Sequence, residues 1–313
     1  MTGVQTCALP IFIALSRRIT ENQEYTDTAG IQDDEFIQFF NDAQEEIHAL
    51  INQNWPHVLM GSKTIDLVTN QEAYDIPDDV YLGTRIDFVE FSKANPDYFY
   101  ALKKGSIKER LNGIQGDPSF YIRNGTQLLI QPKPNGNSKI RITYQRSIPR
   151  VDLKRGVVES VTLSGSSITA LKLSETEYFD RDSILEDNFI CVADKYGTVK
   201  MKKISISTVS TDGTVTVEPG FLFEDGETIE VGDFVYTGKF TSNFSQLPDV
   251  CEKGMLEYVN TRIKIRDSDS DSAAIAQVLE RMLSTLNAAF AEPDNDPDYV
   301  PVLDGQYLGW DSY

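Results

Sequence analysis

The side chains able to do chemistry are few and scattered. His48 and His57 are the only histidines in 313 residues. Neither belongs to a repeated ligand pattern. His48 falls on the rim of a helix and His57 follows the Pro56 break, so both read as structural or surface groups. Cys7, Cys191 and Cys251 lack zinc-ligand spacing and are too few for a disulfide framework. Asp267, Asp269 and Asp271 invite comparison with a calcium loop, because hard carboxylate oxygens suit a hard cation. That pattern fails where Ser272 replaces the turn glycine and Val278 replaces the bidentate acid, which leaves a solvated connection and helix cap. Glu45 and Glu46 point to different sectors of a helix, and Asp78-Asp79 follows a proline turn. Neither pair is positioned for general acid–base work. Ser164-Gly165-Ser166-Ser167 reads as a turn, and no phosphate loop, zinc-protease helix or hydrolase elbow is present. The expectation is a protein that is not an enzyme, with no catalytic residue, metal or cofactor.

Charge narrows the partners. Lys and Arg total 29 against 48 Asp and Glu, a net charge of −19. Tight nucleic-acid binding needs clustered cations to neutralise phosphates, so a broad footprint is disfavoured. Steered partners should present basic faces. The local basic patches are Lys103-Lys104 with Lys108 and Arg110, then Arg146, Arg150, Lys154 and Arg155, then Lys200, Lys202 and Lys203. Charge pairing or subunit contact is the preferred reading of all three. With 16 Phe and 14 Tyr, the chain has enough apolar mass to offset its conformational entropy despite the charge. The longest apolar run, 8–15, is far too short to cross a bilayer and has no basic region before it, which speaks against a signal peptide.

The elements that must carry these groups are helical at the ends and extended between. Phe36, Phe40, Ala43, Ile47 and Leu50 recur every three or four residues and predict an amphipathic helix over 33–54, with Asp33 and Asp34 at its positive end. A shorter helix is expected over 12–22. After Gly61 the period changes to two. Strands are expected at 64–68, 85–91, 120–123, 127–130 and 139–144, separated by turn chemistry such as Asn124-Gly125. A second strand-rich unit, a barrel or sandwich-like insertion, is read at 158–163, 168–173, 189–193, 199–207, 214–217 and 234–237. Helix returns over 249–266, with Leu256, Val259 and Ile263 on one face, and over 273–291, with Ile275, Leu279, Met282, Leu286 and Ala289 or Phe290. The fold class is therefore α+β, with N- and C-terminal helices forming one helical bundle around inserted antiparallel β domains.

The corresponding boundaries are a helical part at 12–60, an antiparallel β domain at 61–150, the β-rich insertion at 151–245, a second helical part at 246–291 and an acidic, aromatic tail at 292–313. Residues 1–11 are set aside, because Thr2 through Ile11 resembles the translated product of a short-read sequencing adapter. The tail's hydrophobes either cap their own domain or dock into a neighbour.

Asp33-Asp34-Glu35-Phe36-Ile37-Gln38-Phe39-Phe40-Asn41-Asp42-Ala43-Gln44-Glu45-Glu46-Ile47, followed by Gln71-Glu72-Ala73-Tyr74-Asp75-Ile76-Pro77, resembles tailed-bacteriophage head-to-tail adaptor (connector) proteins of the tail tubular protein A-like kind. The resemblance continues through Gly116-Asp117-Pro118-Ser119-Phe120-Tyr121-Ile122, Leu128-Leu129-Ile130-Gln131-Pro132-Lys133-Pro134 and Ile142-Thr143-Tyr144-Gln145-Arg146, about the first half of the chain. It implies a non-enzymatic ring, commonly a dodecamer, made in the bacterial host cytoplasm and placed in the virion between the portal protein and the tail nozzle or fibre proteins. DNA would pass through its channel without sequence-specific binding. In that setting Phe36, Phe40, Ile47, Leu256, Val259, Ile263, Ile275, Leu279, Met282 and Leu286 are the expected helical framework. Tyr299, Tyr307 and Trp310 are the expected partner anchor. The alternative reading is a virion-associated carbohydrate-binding β module with a helical attachment domain.

Overall fold

In the computed structural model, residues 9–19, 33–93, 98–165, 167–174, 188–218, 228–268 and 273–290 are described. Four helices form the first layer: α1 (Leu9–Ile19), α2 (Asp33–Asn54), α3 (Glu252–Ser268) and α4 (Ala273–Phe290). Asp33, Asp34 and Glu35 occupy the first turn of α2, where carboxylates favour the exposed backbone N–H groups. Its last turn closes with Trp55 N–H donating to Ile51 O at 2.7 Å, and Pro56 then opens a 3₁₀ turn.

Phe36, Phe40, Ala43, Ile47 and Ile51 make the apolar stripe of α2. They share one core with Leu9, Phe12 and Ile13 of α1, Met255, Tyr258, Val259 and Ile263 of α3, and Val278, Met282 and Leu286 of α4. Phe12 meets Phe40 edge to face at 5.0 Å, and Trp55 meets Phe290 at 5.6 Å. A fully buried side chain of this size contributes about 2 kcal/mol, so the bundle rests on segments more than 200 positions apart in sequence. Gly254 lets Met282 lie close on α3: a Cβ there would sit 1.6 Å from Met282 Cε, so the flexible end of that side chain would have to move.

Some expected details shift. The stripe of α2 passes through Ile51, with Leu50 only partly buried. In α4, Ala289 is exposed and Phe290 packs. Helix α1 begins at Leu9, inside the segment set aside from the sequence, and residues 20–22 lie outside the described residues. Helix α3 runs on through Asp267 and Ser268, two residues beyond the end that the sequence pattern implies. Asp269 and Asp271 lie outside the described residues.

Between the helices lie two β units. The first contains β1 (Met60–Leu67), β2 (Ala73–Asp75), β3 (Ile86–Lys93), β4 (Phe120–Asn124), β5 (Gln127–Gln131) and β6 (Ser138–Gln145). Strand β6 sits between β1 and β3, antiparallel to both, while β5 sits between β2 and β4. Alternate residues Val89, Phe91, Ile140 and Ile142 from one sheet and Tyr74, Tyr121, Leu128 and Ile130 from the other share one apolar cluster, the arrangement of a small sandwich. A two-residue parallel pairing, Lys103-Lys104 beside Phe120-Tyr121, departs from a purely antiparallel unit.

The second unit contains β7 (Gly156–Ser164), β8 (Ser167–Ser174), β9 (Phe189–Ala193), β10 (Val199–Val209), β11 (Thr214–Val217) and β12 (Phe234–Thr237). These close into a barrel in the order β7-β8-β11-β10-β9-β12, with every neighbouring pair antiparallel. Closure leaves no unpaired edge. Val158, Ile168, Leu171, Ile190, Ile204, Val215 and Val235 fill the interior as a packed core of its own. Among the described residues, no helix is long and apolar enough to cross a membrane.

Candidate functional site at the helix–barrel junction

Helix α2 carries a second stripe, and it is polar and buried: Asn41, Gln44, His48 and Asn52. Spacings of three, four and four put these side chains on one side of a helix. They face the connection 146–155, which leads from β6 into the barrel. Asn41 Nδ2 donates to Val151 O at 2.9 Å, and Asn41 Oδ1 accepts from Val151 N–H at 2.8 Å. Gln44 Nε2 donates to Pro149 O at 2.7 Å, and His48 Nε2 lies 2.9 Å from Arg146 O. Each step of about one turn along α2 reads the connection two or three residues further back. An extended chain has main-chain groups to satisfy, and here α2 side chains satisfy them in place of a neighbouring strand.

His48 therefore does not sit on a helix rim as the sequence suggested. It is 4% exposed, with Asn52 Nδ2 at 3.0 Å and the Tyr81 ring edge to face at 4.5 Å. With its proton on Nε2 the ring donates to Arg146 O. Burial pushes its pKa down, and the nearby Arg146 charge adds to that, while the hydrogen bond to Arg146 O acts the other way. A polar residue pointing inward was legible only as a helical spacing of amides and an imidazole. Its partners lie about a hundred positions downstream.

The connection itself alternates. Val151 and Leu153 enter the helical core, whereas Asp152 and Lys154 face the barrel. Asp152 Oδ2 accepts from the Thr237 hydroxyl at 2.9 Å, and the Arg155 guanidinium donates to both carboxylate oxygens at 3.0 and 3.1 Å. Burial raises the Asp152 pKa, opposed by Arg155 and the Thr237 and Leu153 donors. Arg150 N–H donates to Phe240 O and Asp152 N–H to Ser242 O, both at 3.0 Å, forming a short parallel pair with the chain leaving the barrel. The Ser242 hydroxyl then donates to Gly197 O at 2.8 Å. Gly197, at φ +84°, admits the Phe244 ring where a Cβ would collide at 2.3 Å.

A second set of contacts joins the sandwich to the barrel: Lys203 Nζ lies 2.7 Å from Asp78 and Lys202 Nζ lies 3.8 Å from Asp79. Within the sandwich, Tyr144 O–H donates to Asp79 Oδ1 at 2.8 Å. Asp78-Asp79 thus takes part in ion pairing across the junction. The basic patches follow the charge-pairing reading at several positions. Arg110 forms a two-pronged pair with Glu72 at 2.6 and 2.9 Å, and Lys200 bonds both oxygens of Asp233 at 2.9 Å. Lys103, Lys104 and Lys108 of the first patch are exposed on the sandwich.

Phe36, Phe40, Ile47, Val259, Ile263, Met282 and Leu286 are buried in the helical core, with Leu256, Ile275 and Leu279 packed partly buried against it. Tyr299, Tyr307 and Trp310 lie outside the described residues. Cys191 and Cys251 are buried thiols whose pKa values burial pushes up to about 11 and about 12, unsuited to nucleophilic work. Among the described residues, no group of three or more His, Cys, Asp or Glu could hold a metal ion.

No curated protein matches the chain. Residues 12–163 match the family described as SU10 adaptor protein. The match contains both sides of the α2 ladder and the whole sandwich, and it ends inside β7, so the rest of the barrel and the C-terminal helices lie beyond it. Over residues 12–163, just under half of its length, the chain is thus similar to the SU10 adaptor proteins.

Proposed function

We propose that this protein is a structural, non-enzymatic adaptor that assembles as a closed ring, of twelve copies, between the portal protein and the tail nozzle or fibre proteins of a phage virion. The observation that carries the reading is the match to SU10 adaptors over 12–163, which contains the α2 ladder. That ladder ties the helical bundle to the sandwich and aims the barrel, and fixed relative geometry is what a ring-forming subunit needs. The helical part at 12–60 and its partner at 246–291 form the framework. The β domain at 61–150 and the barrel unit within 151–245 present contacts to neighbours and tail components. The tail at 292–313 supplies the anchor through Tyr299, Tyr307 and Trp310.

A net charge of −19 per copy, multiplied by closed symmetry, gives a channel or rim that repels DNA phosphates, so DNA passes without being captured. The test is negative-stain electron microscopy with mass measurement of the protein mixed with its own portal. A stacked complex with a closed adaptor ring is expected. Persistent monomers across a range of salt concentrations would overturn the proposal.

A further inference from the structure

A crevice of about 630 Å³ opens where α2, the connection 146–155 and the end of β12 meet. Ile37 and Ile148, both partly buried, supply apolar surface, and Gln38, Arg150, Lys239 and Phe240 line it alongside them. Arg150 and Lys239 are exposed. The carboxylates at the crevice are Asp34, which is exposed, and Asp152, which is paired with Arg155. On a chain of net charge −19, a cationic rim over apolar surface is an exception that calls for an anionic, partly apolar occupant.

The chain contains such a segment. Residues 291–313 carry Glu292, Asp294, Asp296, Asp298, Asp304 and Asp311 with no Lys or Arg, together with Tyr299, Val300, Val302 and Leu303. The segment also starts in the right place. Phe290, the last residue of α4, packs on Trp55 just beyond the end of α2. Asn41, at the crevice, is 14 positions back along the same helix, about 20 Å at 1.5 Å per residue. An extended run of nine residues spans about 30 Å, enough to lay 292–298 past Lys239 and Arg150 and to bring Tyr299 to the apolar surface.

We propose that this crevice is the receptor for the acidic, aromatic C-terminal segment of the same chain, 292–303, bound in cis. Charge supplies the register along the basic rim, and Tyr299 with its aliphatic neighbours fills the space between Ile37, Ile148 and Phe240. The proposal needs no ring; it seats Tyr299 in the subunit's own crevice in place of a partner-anchor role and leaves Tyr307 and Trp310 to that role.

The test measures fluorescence anisotropy of a labelled 291–313 peptide on two full-length proteins: the native chain, and a chain neutralised by E292Q, D294N, D296N and D298N. A short flexible tether gives an effective concentration on the order of 1 mM. The native tail should therefore compete strongly, and the peptide should bind the neutralised chain at least tenfold tighter than the native one. Adding R150E and K239E to the neutralised chain should weaken peptide binding at least tenfold. Adding K103E and K108E, which make the same charge change on the sandwich, should leave it within twofold. Circular dichroism melts confirm that each variant is folded. Equal affinity for native and neutralised chains would overturn docking in cis and assign the crevice to another copy's tail. No binding to the neutralised chain, or equal losses from the two charge reversals, would overturn the crevice as receptor.

Discussion

Replacing Asn41 by Leu isolates the α2 ladder. The main-chain groups of the residues flanking Val151 pair with Phe240 and Ser242, and Val151 N–H and C=O turn the other way, to Asn41 at 2.8 and 2.9 Å. Leucine is close to asparagine in size, so the cavity contribution is small. What the substitution removes is the partner of one buried donor and one buried acceptor. Each group left unsatisfied costs about 1–3 kcal/mol, which puts the loss at about 2–6 kcal/mol out of a total stability of about 5–15 kcal/mol. Urea unfolding followed by helical circular dichroism measures it as a fall in midpoint at constant slope. Glu45→Gln, on the exposed side of the same helix, should stay within about 0.5 kcal/mol. A loss below about 1 kcal/mol for Asn41→Leu would refute the view that α2 serves as a substitute strand.

Other substitutions probe the same junction. Asp152→Ala leaves the largely buried Arg155 without its carboxylate and should cost about 3 kcal/mol, whereas Asp152→Ala with Arg155→Leu should recover a large part of that loss in the same unfolding assay. The folded-state pKa of His48 is depressed by burial, so below its unfolded value of about 6.5 the unfolded chain takes up a proton that the folded chain resists. Stability should therefore fall as the pH drops from 7.5 toward 5 and level off below the folded pKa. His48→Gln should remove that slope, and identical pH profiles for the two proteins would contradict the assignment. Gly254→Leu should separate α3 from α4 by displacing Met282; a melting temperature within 2 °C of wild type would show that the helices do not need that close approach. Lys203→Ala removes a half-exposed ion pair with Asp78 and should cost under about 1 kcal/mol, less as salt is raised.

The sequence alone determined the local elements. Phe36, Phe40, Ala43 and Ile47 announce α2 because a buried helical face must repeat every 3.6 residues, and β9, β11 and β12 have the bounds that their apolar runs and flanking turns imply. The return of helix near the C-terminus, and its packing against α2, were likewise legible, since an amphipathic helix must bury its apolar face against something. Tertiary structure alone decided what the polar residues do. His48 reads as a rim group, and Asn41 and Gln44 carry no signal of burial in the sequence; all three are buried because a connection about a hundred positions later brings unpaired backbone to them. Arg155 is legible only as a charge that pairs or meets a subunit, and the fold supplies the pair: Asp152, held in turn by Thr237 from the last barrel strand. Strand order in the barrel belongs to the same class: β8 pairs with β11 rather than with β9. Period and propensity act over a few residues, whereas the partner of a main-chain hydrogen bond or a buried carboxylate is set by which distant segment closes the remaining space. That choice is made only when the whole chain folds.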